Sequence, residues 1–286
     1  MDAAAAPGRK RTFPGGAVDT LPLLVLLSGC AIDQGLSSSG GAEDGARLDT
    51  GPAAATDPDA RVRTAGTELW LAFMENLQRE FNGPPTFAVV VEAPEGAQGE
   101  IGVPATGFAQ PFSLAAGEIA EIPLPAATWT STGSDVAGVA GVRVTADRAV
   151  EAVGVHYRLY FSEAARLLPQ AELGTDYRVL AVPDAVQGAP SSFVVVATRD
   201  DTELEITPAA LTLGLRPEGV PYTVTLAAGE TWQVQAAGDL SGTRVRALSG
   251  GPVAVFAGAR QAYTGCGQPA DSHLWDTVLP LDRWGR

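Results

Sequence analysis

Gly174-Thr175-Asp176-Tyr177-Arg178-Val179-Leu180-Ala181-Val182-Pro183 reads as a β-strand opened by a small polar turn. A counterpart stands 108 residues upstream, at Gly66-Thr67-Glu68-Leu69-Trp70-Leu71-Ala72-Phe73. A Leu-Pro step, Leu168-Pro169, precedes Gly174 by a few residues. The same step, Leu279-Pro280, precedes a glycine at Gly285-Arg286. Taken as openings of one repeated unit, these stretches bring most of the remaining sequence into register.

The fill between the openings is strand-like. Phe87-Ala88-Val89-Val90-Val91 and Phe193-Val194-Val195-Val196 are short apolar runs suited to buried strands. Gly99–Val103 and Thr202–Thr207 follow them, with Asp200-Asp201 read as a hairpin turn rather than a metal site. The tightest match is Leu114-Ala115-Ala116-Gly117-Glu118 against Leu226-Ala227-Ala228-Gly229-Glu230, a hairpin loop whose glycine takes positive φ. Gly141–Val144 with Glu151–Val155, and Gly242–Val245 with Val253–Ala257, read as strand pairs. Leu77–Asn82 and Ser162–Leu167 read as single helical turns.

The expected fold is therefore all-β, as two tandem β-sandwich-like modules of about 108 residues, 66–173 and 174–281, with 282–286 opening a third. The pattern fits two independent sandwiches or one sheet shared between the units. A chain stopping at a strand start implies a missing continuation.

Before Gly66 the sequence changes character. Arg9-Lys10-Arg11, a short apolar run from Leu21 to Leu27, and Leu27-Ser28-Gly29-Cys30 describe a secretory signal over 1–29, too short to span a membrane. Its ending resembles the lipobox of bacterial lipoproteins. That resemblance implies diacylation of the Cys30 sulfur, cleavage before it, and attachment to the bacterial cell envelope at the outer membrane or cell surface. Residues 30–65 are rich in Ser, Gly, Pro and Ala and read as a flexible tether reaching ~30–35 Å from the lipid. A net charge of −14 and a pI near 4.5 repel phosphate backbones, so nucleic acid is excluded as a partner.

The motifs in order resemble the N-terminal domain family of IgGFc-binding proteins. They are Gly66–Asn76, Asp201–Pro208, the two Leu-Ala-Ala-Gly-Glu hairpins, Asp239–Val245, Pro252–Gly258 and His273-Leu274. The resemblance covers about 66–286. It implies a secreted or surface protein whose β modules bind a macromolecule without catalysis, in an adhesive or scaffolding role, and it does not imply immunoglobulin as the ligand. The family pattern also carries two cysteines around the His-Leu stretch, joined as a disulfide. Here only Cys266 is present, with Asp271-Ser272 near the place of the second.

Residues of chemical interest are few. His156 and His273 are the only histidines, and His156 reads as structural. Asp271, Ser272, His273 and Asp276 are the types a hydrolase uses. They lack a Gly-x-Ser-x-Gly elbow, and Ser272 adjoins His273, which is poor geometry for a triad. Cys266, His273 and Asp276 lack zinc-ligand spacing. Cys266 is a leftover thiol or pairs with another chain. No phosphate loop or dinucleotide fingerprint occurs. Trp70, Trp129 and Trp232 read as core rather than as a glycan-stacking platform. The expectation is a protein or glycan ligand at the cell surface, no catalytic residue, no metal and no cofactor. The alternatives are an extracellular hydrolase or glycan-acting enzyme using Asp271, His273 and Asp276, and a ligand-free structural spacer.

Overall fold

A computed structural model of the chain describes residues 62–76, 83–125, 132–159, 161–183, 189–263 and 271–284. The signal, tether residues 30–61 with Cys30, Leu77–Asn82, Trp129, Cys266 and the opening at Gly285 lie outside them. Residues 62–65, read as the end of the tether, are instead docked on the first segment, with Arg63 donating to the Glu172 carboxylate at 2.6 Å and Thr64 to that of Glu151 at 3.0 Å. Strands β1 (Gly66–Ala72), β2 (Thr86–Ala93), β3 (Ala97–Val103), β4 (Phe108–Leu114), β5 (Glu118–Leu124), β6 (Val136–Gly138), β7 (Gly141–Tyr157) and β8 (Glu163–Arg166) arise from 66–173. Strands β9 (Asp176–Arg178), β10 (Ser191–Ala197), β11 (Thr202–Thr207), β12 (Tyr222–Leu226), β13 (Thr231–Ala236), β14 (Arg244–Ala247), β15 (Val253–Tyr263) and β16 (Asp271–Thr277) arise from 174–281. The described residues hold no regular helix beyond short 3-10 turns, so the all-β expectation holds.

The pairings repeat. In the first segment β4-β3-β7-β1 lie side by side through the first half of β7, and β5-β2-β7-β8 through its second half. In the second segment the same orders recur as β12-β11-β14-β9 and β13-β10-β15-β16. The sequence reading expects a strand pair in both places, but β7 is one continuous 17-residue strand. The difference lies in the joints. Thr145–Ala149 can remain extended, whereas Ser249-Gly250-Gly251-Pro252 carries glycines at φ +82° and +118° and a proline without an N–H. A second correction concerns Ser162–Leu167. Its residues 163–166 form β8 instead of a helical turn, because their backbone completes the ladder on β7.

The matching hairpins have matching bonds. Ala115 N–H donates to the Glu118 carboxylate at 2.8 Å, and Ala227 N–H to that of Glu230 at 2.8 Å. Gly117, at φ +74°, donates to Ala93 O, and Gly229, at φ +81°, donates to Ala197 O. The shared five residues are therefore a backbone requirement: a left-handed glycine and an acid that ties off the loop. Asp200-Asp201 also serves as a turn, with Asp201 at φ +54° and the Asp200 carboxylate accepting from Ala228 N–H at 2.9 Å.

The opening stretch is structural too. The Tyr177 hydroxyl, fully buried, donates to Val253 O at 2.6 Å and accepts from Gly174 N–H at 2.8 Å. Asp176 forms a two-pronged pair with Arg244 at 2.7 and 3.1 Å, which holds its carboxyl below the usual range. Gly66 and Gly174 both abut the proline of the Leu-Pro step that closes their own segment, Pro169 and Pro280. Each of these prolines leads a 3-10 turn, Gln170–Glu172 and Leu281–Arg283.

Two cores result, and they share a sheet. Phe193, Val195, Val253 and Val255 face a core with Leu204, Ile206 and Val245 beneath β11 and β14. Val194, Val196, Ala254 and Phe256, on the other face of β10 and β15, join the core of the first segment, as does Trp275. Burial on both faces is why Phe193–Val196 and Val253–Ala257 are continuous apolar runs, while the one-sided β11 alternates Thr-Glu-Leu-Glu-Ile-Thr. Trp70 and Trp232 are buried, as expected of core tryptophans. Replacing Tyr177 by Phe leaves the Gly174 N–H and the Val253 carbonyl short of a buried partner. The expected cost is about 1–3 kcal/mol in the urea-denaturation free energy, with an unchanged far-ultraviolet β spectrum.

Candidate functional site

Strand alternation decides what the histidines can do. On β16, His273 and Trp275 point inward, while Ser272, Leu274 and Asp276 belong to the other face. The residues named for a hydrolase are thus divided between the two sides of a strand. Asp276 is exposed and accepts from the Thr277 N–H at 2.7 Å instead of orienting His273. Among the described residues, no three of the types His, Cys, Asp or Glu gather as a metal would require.

The structure brings together the two histidines, which the sequence reading left apart. His156 on β7 and His273 on β16 have ring centroids 5.2 Å apart, edge to face, and neither is exposed. Phe87 lies 4.5 Å and Phe73 6.1 Å from the His156 ring. His273 donates from Nδ1 to the Arg260 carbonyl at 3.2 Å. Neither His156 nitrogen has a hydrogen-bond partner among the described residues, nor has His273 Nε2. Burial pushes His156 down to about 2, aided by His273 and Arg158, and pushes His273 down to about 4. Both rings are neutral and sealed from solvent. They pack the seam between β7 and β16. The signal for the pair is weak in sequence, since it depends on strands 117 residues apart.

Beside them Trp275 enters the first core. Its indole N–H donates to Ala72 O at 3.1 Å, and its ring lies 5.0 Å from Phe73 and 5.6 Å from Phe256. A Cβ on Gly154 would meet the Trp275 ring at 2.8 Å and Leu71 at 2.9 Å.

The outward-facing feature is the connection from β11 to β12, residues 208–221. The equivalent link from β3 to β4 is only 104–107. The longer link exposes Leu211, Leu213, Val220 and, at 76%, Leu215. It is nonetheless pinned. Leu213 N–H donates to Gln235 O at 2.8 Å, Arg216 N–H donates to the Thr212 hydroxyl at 3.0 Å, and Gly219 N–H donates to Pro208 O at 2.8 Å. Asp135 accepts from Gly214 N–H at 3.2 Å and from the Tyr222 hydroxyl at 2.8 Å, while the Arg216 guanidinium sits 4.6 Å over the Tyr222 ring. A side chain on Gly214 would collide with Asp135, so the glycine is required there. The loop thus presents its leucines to solvent on a hydrogen-bonded backbone. The sequence reading missed this loop; its signal was the apolar alternation Leu211-Thr212-Leu213-Gly214-Leu215 between prolines.

The described residues thus form an all-β protein with two neutral, buried histidines and a pinned loop of exposed leucines. Residues 163–286 match the family described as IgGFc binding protein. The chain is also 31% identical over 149 residues to the human protein named IgGFc-binding protein, an alignment covering 50% of this chain and 3% of that one. The chain therefore resembles that family, and it spans about 3% of the relative's length. No solved structure matches.

The histidine pair makes stability depend on pH. With an unfolded value near 6.5 and folded values of about 4 and about 2, the unfolded chain binds protons first as pH falls. Stability should drop below pH 6.5, by up to about 1.4 kcal/mol per pH unit for each ring, until pH approaches the folded values. His156→Phe should remove about half of the histidine share, seen as a shallower fall of the urea midpoint between pH 7 and pH 5.

Proposed function

We propose that this chain is a non-catalytic, lipid-anchored protein of the bacterial cell envelope that holds a protein partner at the surface. The observation that carries the binding role is the pinned loop 208–221 with its exposed leucines. Apolar side chains on a rigid backbone bind with little ordering cost, which favours a protein surface over a glycan. The family resemblance supports the same reading, and the human relative's name makes immunoglobulin Fc one ligand to try. The anchor rests on Leu27-Ser28-Gly29-Cys30. No helix among the described residues is long and apolar enough to cross a membrane. On this reading Cys30 supplies the lipid, residues 30–61 the tether and the β segments the binding surface. A hydrolase built on Asp271, His273 and Asp276 is disfavoured by their division between two faces of β16, and a ligand-free spacer has no use for an exposed leucine loop.

In cells, a radiolabelled fatty acid should mark the wild type and leave Cys30→Ala unlabelled; equal labelling of both would remove the anchor. For binding, the immobilised protein is offered immunoglobulin Fc and whole surface-protein extract, and the bound material is quantified. The double variant Leu213→Ser, Leu215→Ser should lose about tenfold in capture while its melting temperature holds, as expected when central apolar contacts are truncated. Undiminished capture would rule out the loop.

A further inference from the structure

The equivalence of the strand orders allows the internal interface to be read twice. The second sandwich docks on the first through one face of its β13-β10-β15-β16 sheet, using Val194, Val196, Ala254, Phe256 and Trp275. This face is a plug. It enters the open side of the first sandwich between β1 and β8, where Trp275 bonds Ala72 O, Thr277 Oγ1 donates to Arg166 O at 2.5 Å, and His273 meets His156. That side is a socket.

Ladder positions translate both surfaces onto the other sandwich. Val194 opposite Phe256 corresponds to Ala88 opposite Val155, and Val196 opposite Ala254 to Val90 opposite Val153. The first sandwich therefore carries its own plug face on β2, β7 and β8. There Val90, Val153 and Val155 are only half-buried, Ala164 is exposed, and neighbouring Tyr157 is 55% exposed. In the other direction, Ala72 follows Gly66 at the same interval as Leu180 follows Gly174, and Arg166, two residues past the Ala164 that pairs with Val155, corresponds to Leu279, two residues past the Thr277 that pairs with Phe256. His156, opposite Phe87, corresponds to Ala257, opposite Phe193. The socket of the second sandwich is thus the place of Leu180, Ala257 and Leu279. A groove of about 530 Å³ lies there, lined also by Asp276, Thr277, Val278 and Trp284. Leu180, in register with the buried Ala72, is 65% exposed.

Among the described residues the chain therefore has one filled plug-and-socket pair inside and one unfilled half on each sandwich. The unfilled halves match in size. Where the inner socket has Gly154, opposite Val89, to admit Trp275, the outer one has Val255, opposite Val195. Where the inner plug has Trp275, two residues before the Thr277 that pairs with Phe256, the outer one has Ser162, two residues before the Ala164 that pairs with the equivalent Val155. A shallower hole thus faces a shorter plug. Leu180 and Trp284 supply the projecting apolar bulk that the small residues Ala88, Val90 and Ala164 leave room for.

We infer that the open side of the second sandwich, at Leu180 and Trp284, binds the Val90–Val153–Val155 sheet face of a second copy of this chain. The contact is head-to-tail, repeats the internal interface and leaves the same two halves free on the pair, so it extends into short filaments. Copies of net charge −14 repel one another, so assembly strengthens as salt rises toward 0.15 M.

The test uses the full chain carrying Cys30→Ala, so that no acyl group contributes, in reductant, so that Cys266 forms no crosslink. Sedimentation velocity should show the average mass rising with concentration. Leu180→Glu alters the socket and Val153→Glu the plug; both sites reach solvent, and unchanged melting curves would show that both variants fold. Each variant alone should sediment as a monomer. Mixed in equal amounts they should form a dimer and stop there, because one variant keeps an intact plug and the other an intact socket. A wild type that stays monomeric up to about 1 mM, where even contacts of about 4 kcal/mol would register, overturns the inference. So does assembly that persists in both single variants, or a mixture that fails to pair while the wild type assembles.

Discussion

The structure depends on one insertion, that of Trp275 into the first sandwich above Gly154. The indole buries a large apolar surface and also spends its N–H on the Ala72 carbonyl, so its position is fixed in direction as well as depth. Gly154 makes the space, since a single methyl there would strike both Trp275 and Leu71. Once Trp275 is seated, Phe256 stacks behind it, His273 is brought against His156, and the β13-β10-β15-β16 sheet acquires a second buried face. The neutral histidines follow from that closure. They are polar groups on the wrong side of a seam that excludes water, and the proteins' only recourse with such groups is to bond them or hold them uncharged.

Around that junction a clasp of buried polar groups sets the angle between the two sandwiches. The Glu75 backbone N–H donates to the Gln233 side chain at 2.9 Å, its carboxylate accepts from the Gln235 side chain at 3.2 Å, and Arg260 lies 3.5 Å from the same carboxylate. Charge-assisted bonds such as these contribute direction more than depth of stability. Apolar packing alone would tolerate sliding of one sheet face over another; a carboxylate held from several sides would not.

What the sequence reveals and conceals follows from the range of each interaction. The hairpins at Leu114–Glu118 and Leu226–Glu230 were legible because a left-handed glycine and an acid closing a loop act within a few residues. The all-β class was legible from runs such as Phe87–Val91. The continuity of β7 was missed because Thr145–Ala149 has no breaker, and only comparison with Gly250-Gly251-Pro252 shows what a break requires. Ser162–Leu167 has the composition of a helical turn, yet pairing with β7 overrides local preference. The histidine pair and the Trp275 socket depend on contacts more than a hundred residues apart, and periodicity carries no record of them. The leucine loop was in principle readable, since an apolar run flanked by prolines inside a hairpin link has no core to enter.

The two sandwiches also differ where they meet. Residues that each sandwich needs for itself are kept in both: the hairpin glycine and glutamate, the opening glycine against its own Pro169 or Pro280, and the phenylalanine that starts β2 and β10. Residues at the seam are exchanged in linked sets. Gly154 stands where the other copy has Val255, His156 where it has Ala257, Val155 where it has Phe256, and Ser162 where it has Trp275. Each exchange that enlarges the inserting face is met by one that opens the receiving side. Folding within a sandwich imposes the first group and could be satisfied by two identical copies. The second group has meaning only for a pair in fixed order, because a receiving glycine without an entering tryptophan would leave a cavity in the core. The asymmetry of the seam thus specifies one arrangement of two sandwiches, over and above the fold that both share.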